Sequence, residues 1–291
     1  MINKPVNKLA IITDSNSGID PQMFLADDVY VIPMPIIIDG VEYFENVNLS
    51  HEEFFEKLYS DSRVTTSQPS PSTTTKMFDD LLVKGYQELL YIPMSSALSS
   101  SFATAKMLAE DYAGKVQVVD NHRVSITQKH SVLDAIKLKN DGLNALEIKE
   151  KLEATAYDSL IFVAVDTLDY LVRGGRISKT AASMANLINI KPLLIITGEK
   201  LDAFTKTRGL KKCKRVLISE SITYIEKAKA EGYDVDVTVT GSLSKEEIED
   251  WVKEINEAIP GYDIRFENLS LSISTHVGKG TYGIGISKKT I

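Results

Sequence analysis

Leu9-Ala-Ile-Ile-Thr13 runs straight into Asp14-Ser15-Asn16-Ser17-Gly18. An apolar, β-branched run followed at once by loop-forming residues reads as a buried strand whose carboxyl end opens into a polar loop. The unit recurs. Glu88 to Met94 is a second such strand and ends at Ser95-Ser96, and Val116 to Val119 is a third and ends at Asp120-Asn121. Helical patterns follow the second half of this series, over about Thr73 to Lys84, Leu98 to Tyr112, Ser125 to Asn140 and Ala145 to Ala156. Alternation of this kind specifies a parallel sheet with helices packed on it. Ligands of such sheets bind outside the carboxyl ends of the strands, where the three polar loops fall.

Other stretches carry their own signals. Val29 to Ile38 reads as an extended segment, Asp39-Gly40 as a tight turn and Val41 to Phe44 as its return, a hairpin. Ser50 with Glu53 is a capping box that opens a helix with Phe54, Phe55 and Leu58 on its apolar face. Thr65 to Pro71 has no apolar periodicity and must be surface or site lining. In the second half, Leu160 to Val165 is a strand, Asp166 to Arg173 a helix stopped by Gly174-Gly175, and Ser178 caps a helix up to about Asn189. Pro192 to Thr205 reads as a hairpin, Leu210 to Glu231 as a long helix and Val235 to Thr240 as a strand. Ser244 with Glu247 caps the helix containing Trp251, and strands are expected over Ile264 to Leu271 and Gly283 to Ser287. Ser274 to Gly280 is left as the connection between them.

A chain of 291 residues suits two domains. Its net charge of -7 argues against a nucleic-acid partner, which needs a basic stripe. The basic cluster Lys211, Lys212, Lys214 and Arg215 reads either as a solvated helix face or as a docking patch for an acidic partner. A single cysteine, Cys213, permits no internal disulfide and fits a reducing compartment. The apolar stretch Val29 to Ile38 is short and broken by Pro33 and Pro35, so it does not span a bilayer. A soluble, cytoplasmic protein is expected.

The sequence holds no phosphate loop, no nucleophile elbow and no histidine pair at metal spacing. His51 reads as a surface residue and His122 and His130 as structural. His276 stands between Ser-Ile-Ser-Thr and flexible glycines, and two readings remain open for it: a buried, hydrogen-bonded histidine, or a ligand group.

Six segments together resemble the DegV family of bacterial fatty acid-binding proteins. They are Thr13-Asp-Ser15, Thr66-Ser-Gln-Pro-Ser70, Ser95-Ser-Ala-Leu-Ser99, Val118-Val-Asp120, Arg173-Gly-Gly-Arg-Ile-Ser178 and Thr275-His-Val-Gly278 with Gly280. The resemblance spans about residues 8–289 as a single unit. It implies an α/β protein of two domains: an N-terminal, mostly parallel Rossmann-like sheet with helices over 1–158, and a C-terminal α/β domain with a mixed sheet over 159–291. One long-chain fatty acid, such as palmitate or an eighteen-carbon acid, would lie between them. The resemblance further implies a carrier that has no catalysis and no cofactor of its own, and that presents the carboxylate to a separate fatty acid kinase. Its carboxylate-binding positions fall on Thr66, on Ser96 with Ser95, and on His276. Arg208 matches a kinase-associated position. Arg173, Gly174, Gly175 and Arg176 are expected to be structural, joining the domains, with direct head-group binding by the arginines as the alternative. Three departures stand out: Ser100-Ser-Phe102 where the family has Gly-Thr-Tyr, Lys279 where it has proline, and an extra Gly209 beside Arg208.

The chemistry is self-consistent. About 14 buried methylenes at roughly 0.8 kcal/mol each supply on the order of 11 kcal/mol before costs. The carboxylate needs hydrogen bonds to leave water, and hydroxyls, imidazole and the amides of a helix expected near Leu98 can donate them. Two other classes can be drawn. One is a hydrolase using Ser95 or Ser96 with His276 and Asp120. The other is a binding module for a phosphate ligand.

Overall fold

The computed structural model describes residues 8–60, 62–184 and 190–289. Strand β1 (Leu9–Asp14) is buried along its whole length. It is flanked by β2 (Val29–Ile32) and β6 (Glu88–Ile92), with β7 (Val116–Val118) beyond, in a parallel sheet of order β2-β1-β6-β7. Helices α2 (Pro71–Val83) and α3 (Ser101–Ala109) pack on Ala10, Ile12, Leu89 and Tyr91. Helices α4 (Ser125–Asn140) and α5 (Ala145–Ala154) pack on Leu9, Ile11, Leu90 and Ile92. Both faces are covered, which is why β1 carries an unbroken apolar run and not an alternating one.

The segment Val29 to Ile38 is not one strand. Pro33 and Pro35 interrupt the donors that a ladder needs, and β3 (Ile36–Ile38) joins a different, antiparallel sheet. It pairs with β4 (Val41–Tyr43) through the Asp39-Gly40 turn, where both residues have positive φ, and with β5 (Val64–Thr66). Strand β5 begins the stretch that has no periodicity in sequence. Helix α1 (His51–Leu58) is capped by Ser50, whose hydroxyl accepts from the Glu53 N–H.

A six-stranded sheet follows: β8 (Ser159–Ala164), β9 (Ile190–Ile196), β10 (Asp202–Arg208), β11 (Val235–Ser242), β12 (Phe266–Asn268) and β13 (Thr281–Lys288). Its order is β10-β9-β8-β13-β11-β12, antiparallel throughout except for β11 with β12. One face packs through Leu160, Phe162, Val237 and Ile284 on α8 (Leu210–Ala230) and α9 (Lys245–Ala258). Buried Cys213 is part of that core, where burial raises its thiol. The other face looks toward the N-terminal half and is covered by α4 and the short helices α6 (Asp169–Gly174), α7 (Lys179–Ala182) and α10 (Leu271–Val277). The helix expected from Ser178 to Asn189 is seen as α7, and its positions 185–189 lie outside the described residues.

Helix α10 corrects two expectations. The strand expected over Ile264 to Leu271 is limited to β12, and Ser274 to His276 belong to a helix, not to a loop. Ser270 caps that helix by accepting from the Ile273 N–H. Likewise the helix expected from Leu98 starts at Ser101.

Candidate functional site

The uncovered part of the second sheet's inner face and the loops at the carboxyl ends of the parallel strands enclose a cavity. Its long walls are aliphatic: Leu98, Val124, Ile161, Val163, Ile196 and Leu201. These positions follow from strand alternation, since Ile161 and Val163 face the cavity while Leu160 and Phe162 face α8 and α9. A more polar opening adjoins the cavity, lined by Arg63, Arg173, Tyr170 and Gly174. Three residues line both spaces: Thr66, Arg176 and His276.

Thr66 ends β5 and His276 lies in the last turn of α10, and their side chains meet with Oγ1 to Nε2 at 2.8 Å. Burial, reinforced by the charge of Arg176, lowers the His276 pKa to about 4, so the ring is neutral at pH 7. A neutral ring that donates from Nε2 leaves the Thr66 hydroxyl proton free to donate onward, into the cavity mouth. The far side of the ring rests against Gly174. A Cβ there would stand 2.2 Å from His276 Nδ1, so this position needs glycine for close approach. Gly175 is glycine for a different reason: it is the left-handed C-cap of α6, with φ +69°.

Arg176 donates from Nη1 to the Gly174 carbonyl (2.5 Å) and from Nε to the Leu98 carbonyl (3.2 Å). It therefore ties the glycine turn to the serine-rich turn of the other half. Arg173 is exposed, with its guanidinium 4.8 Å from the Tyr170 ring centroid. Arg208 is exposed at the end of β10, an edge strand, and does not line the cavity.

The Ser95–Ser96 pair is not brought to the cavity. Ser95 donates its hydroxyl to the Gly198 carbonyl (3.0 Å) and accepts from the Ala97 N–H. Ser96 is exposed, and its backbone N–H donates to Asp120. The serine of that motif on the cavity wall is Ser99, joined there by Ser67 and Gln68 from the Thr66 segment. All three lie inside segments legible in the sequence, but the direction of their side chains is not. Asn16 also lines the cavity and accepts from Ser270 and Ser272. Asp14, expected to mark a functional loop, instead braces it. Its carboxyl accepts from the Met94 and Asn16 N–H groups and from Gln128, and burial raises its pKa to about 6.

The residues drawn as a hydrolase triad are otherwise engaged: Ser95 with Gly198, His276 with Thr66, and Asp120 beside His122 at 3.7 Å. Among the described residues no three His, Cys, Asp or Glu side chains are grouped to hold a metal ion, and no helix is long and apolar enough to cross a membrane.

Fold and site define a two-domain α/β protein with an apolar cavity between a parallel and a mixed sheet, ending in a hydroxyl–imidazole pair. The chain belongs to the DegV family, whose model, described as "Uncharacterised protein, DegV family", matches residues 8–289. It is similar to a DegV domain-containing protein of Staphylococcus aureus (strain MRSA252), at 30% identity over 98% of this chain and 100% of the relative. Among solved structures, a DegV family protein from Thermus thermophilus, reported for its fatty acid binding, aligns with a TM-score of 0.85 at 27% identity, covering 97% of this chain and 100% of that one. A fatty acid-binding DegV family protein from Streptococcus agalactiae aligns with a TM-score of 0.85 at 28% identity, covering 97% and 99%.

Proposed function

We propose that this protein binds one long-chain fatty acid, such as palmitate or an eighteen-carbon acid. The chain lies along the aliphatic cavity and the carboxylate at Thr66 and His276. The observation that carries the reading is that the cavity meets its polar mouth at Thr66, Arg176 and His276. An amphiphile fits such a junction: apolar walls take the tail, and hydroxyls with a neutral imidazole satisfy the head group. Ser99 and Ser67 offer further hydroxyls on the wall, in place of Ser95 and Ser96. The fatty acid binding reported for the Thermus and Streptococcus relatives supports the assignment.

The protein then acts as a carrier in lipid transport or fatty acid metabolism, in the cytoplasm and without catalytic groups of its own. It presents the carboxylate at the mouth to a separate fatty acid kinase. Supporting this, the head group is held by neutral donors, with the guanidinium of Arg176 committed to two backbone carbonyls. Arg208, exposed and away from the cavity, is free to meet a partner. A domain boundary at 158/159 is supported by the second sheet, all of whose strands follow it.

Native mass spectrometry before and after organic extraction tests the ligand. A removable mass matching one fatty acid is expected, and a nucleotide, a sugar phosphate or no ligand would overturn the reading. Acyl-phosphate formation with ATP and an added fatty acid kinase tests the carrier role.

A further inference from the structure

The six-stranded sheet ends in an edge that is only partly closed. Strand β12 pairs with Val239, Thr240 and Gly241 of β11, while β13 runs along the other side of β11 from Val235 to Ser242. In a strand paired antiparallel like this, successive residues turn their N–H and C=O groups to opposite sides. The Val239 N–H donates to the Arg265 carbonyl (3.1 Å), and the Gly241 carbonyl accepts from the Leu269 N–H (3.2 Å). The odd-numbered residues of β11 therefore face the β12 side. Val235 and Val237 face it too, before β12 begins. The Val235 N–H donates to the Asp234 side chain (2.9 Å). Among the described residues, the Val235 carbonyl and the Val237 N–H and C=O have no partner, although Val237 is only 5% exposed. Buried backbone groups are rarely left so.

These groups look into a groove. Every residue from Asp234 to Thr238 lines it, which a strand achieves when its edge, and not one face, borders the space. The other walls are α4, through Lys129, His130 and Leu133, and the loop after β1, through Asp20, Met23 and Phe24. The walls are tied together, His130 Nε2 to Thr238 Oγ1 at 3.2 Å and Lys129 to Glu267 at 2.6 Å, so the groove is preformed. Five carboxylates line it, Asp20, Asp234, Asp236, Asp263 and Glu267, against three cations. Each cation is already paired within the groove: Lys129 with Glu267, Arg265 with Asp263, and Lys289 with Asp234 and Asp236. Negative charge is left in excess, beside the exposed apolar side chains of Met23 and Leu133.

We propose that this groove binds an extended peptide segment of another protein, which adds to the edge of β11 as a further strand and carries basic side chains with an apolar one between them. The backbone of such a segment completes the hydrogen bonds of Val235 and Val237. Its cations meet the surplus carboxylates, and its apolar side chain covers Met23 and Leu133. A second copy of this chain does not suit the edge, because pairing it with itself sets Asp234 and Asp236 against like charges. The β12 side of the sheet is the opposite edge from β10 and Arg208, and Thr66, Arg176 and His276 do not line the groove. The peptide site is thus separate from the cavity and its mouth.

Amide hydrogen exchange and chemical shifts of the full chain test this. Before any peptide is added, the Val237 amide should exchange about tenfold or more faster than those of Asp236 and Thr238, which face β13. The probe is Lys-Val-Leu-Val-Lys, capped at both ends. At saturation it should slow Val237 exchange about tenfold or more. Glu-Val-Leu-Val-Glu, and the basic peptide methylated at every backbone nitrogen, should bind about tenfold more weakly or not at all. Asp236→Lys, and Asp20→Lys on another wall, should each weaken the basic peptide about tenfold and leave bound lipid as in wild type. Failure of the basic peptide to protect Val237 at about 1 mM, equal binding of the acidic peptide, or wild-type affinity in both variants would overturn the proposal. So would dimerisation of the chain alone that protects Val237, which would give the edge to a second copy.

Discussion

Thr66 and His276 are 210 positions apart in the chain, and their side chains meet at 2.8 Å where the apolar cavity opens to its mouth. The contact joins the small antiparallel sheet to α10, so it links the two halves as well as ending the cavity. If the carboxylate binds there, removing either group takes away one charge-assisted hydrogen bond, worth about 1.5–3 kcal/mol. The tail supplies several times more. Thr66→Ala and His276→Ala are therefore expected to weaken fatty acid retention about ten- to a hundredfold without emptying the cavity. Kinase-dependent acyl-phosphate formation should fall further, because phosphoryl transfer depends on the position of the nucleophile. Retention by mass spectrometry, set beside turnover, checks this, and variants with full turnover would remove the pair from the site.

The adjacent glycines should separate cleanly. Gly174 has an ordinary backbone, but an added Cβ would stand 2.2 Å from His276 Nδ1. Gly174→Ala is expected to push the imidazole away and to match His276→Ala in lipid retention. Gly175 has open space around it and a φ of +69°. Gly175→Ala should cost about 1 kcal/mol of stability through backbone strain and leave lipid retention nearly unchanged. Thermal melting paired with lipid content distinguishes the two, and equal effects at both positions would refute the division of roles.

The strands buried on both faces were readable from sequence because burial demands an uninterrupted apolar run, as in Leu9 to Ile12. Helix α10 was not. It has seven residues, Ser-Ile-Ser-Thr carries β-branched side chains at strand-like spacing, and so short a helix is held by packing, not by propensity. Strand β5 was hidden for a related reason, since its pairing with β3 is a tertiary fact that Val-Thr-Thr does not announce. At the site, Thr66 and His276 were legible through their motifs. Choosing among Ser95, Ser96 and Ser99 depends on which way each side chain leaves a tight turn, and spacing carries no such information. The alternation of small and large residues in Thr281-Tyr-Gly-Ile-Gly-Ile-Ser287 was a usable signal for a sheet face kept bare.

Stability should depend on pH in the mildly acidic range. Burial lowers His276 and His130 to about 4 each, against an ordinary value near 6.5. Between those values the unfolded chain takes up the protons and the folded chain does not, so stability is full above pH 6.5 and is lost as pH falls toward 4. Buried Asp14, raised to about 6, acts in the opposite sense, because its folded form holds a proton that the unfolded form releases. Two groups against one leave roughly one proton, or on the order of 1.4 kcal/mol per pH unit between about pH 6 and 4. Urea unfolding at pH 7, 6 and 5 measures it. Removing one histidine, as in His130→Gln, should flatten the dependence, and a steepened one would contradict this account.

The cavity wall offers a test that leaves the head group untouched. Val163 is buried on the cavity face of β8, opposite Gly283 of β13, where no side chain competes for the space. Val163→Phe puts an aromatic ring into the volume assigned to the acyl chain. If that volume holds a tail, the variant should lose most bound lipid, by more than Thr66→Ala does, because it removes burial of several methylenes and not one hydrogen bond. Its fold should persist, since the ring fills space that lipid-free protein leaves unpacked. Added fatty acid should then raise the melting temperature of wild type, in proportion to the logarithm of its excess over Kd, and leave that of Val163→Phe unmoved. A variant that is still stabilised by fatty acid as strongly as wild type would place the tail elsewhere in the molecule.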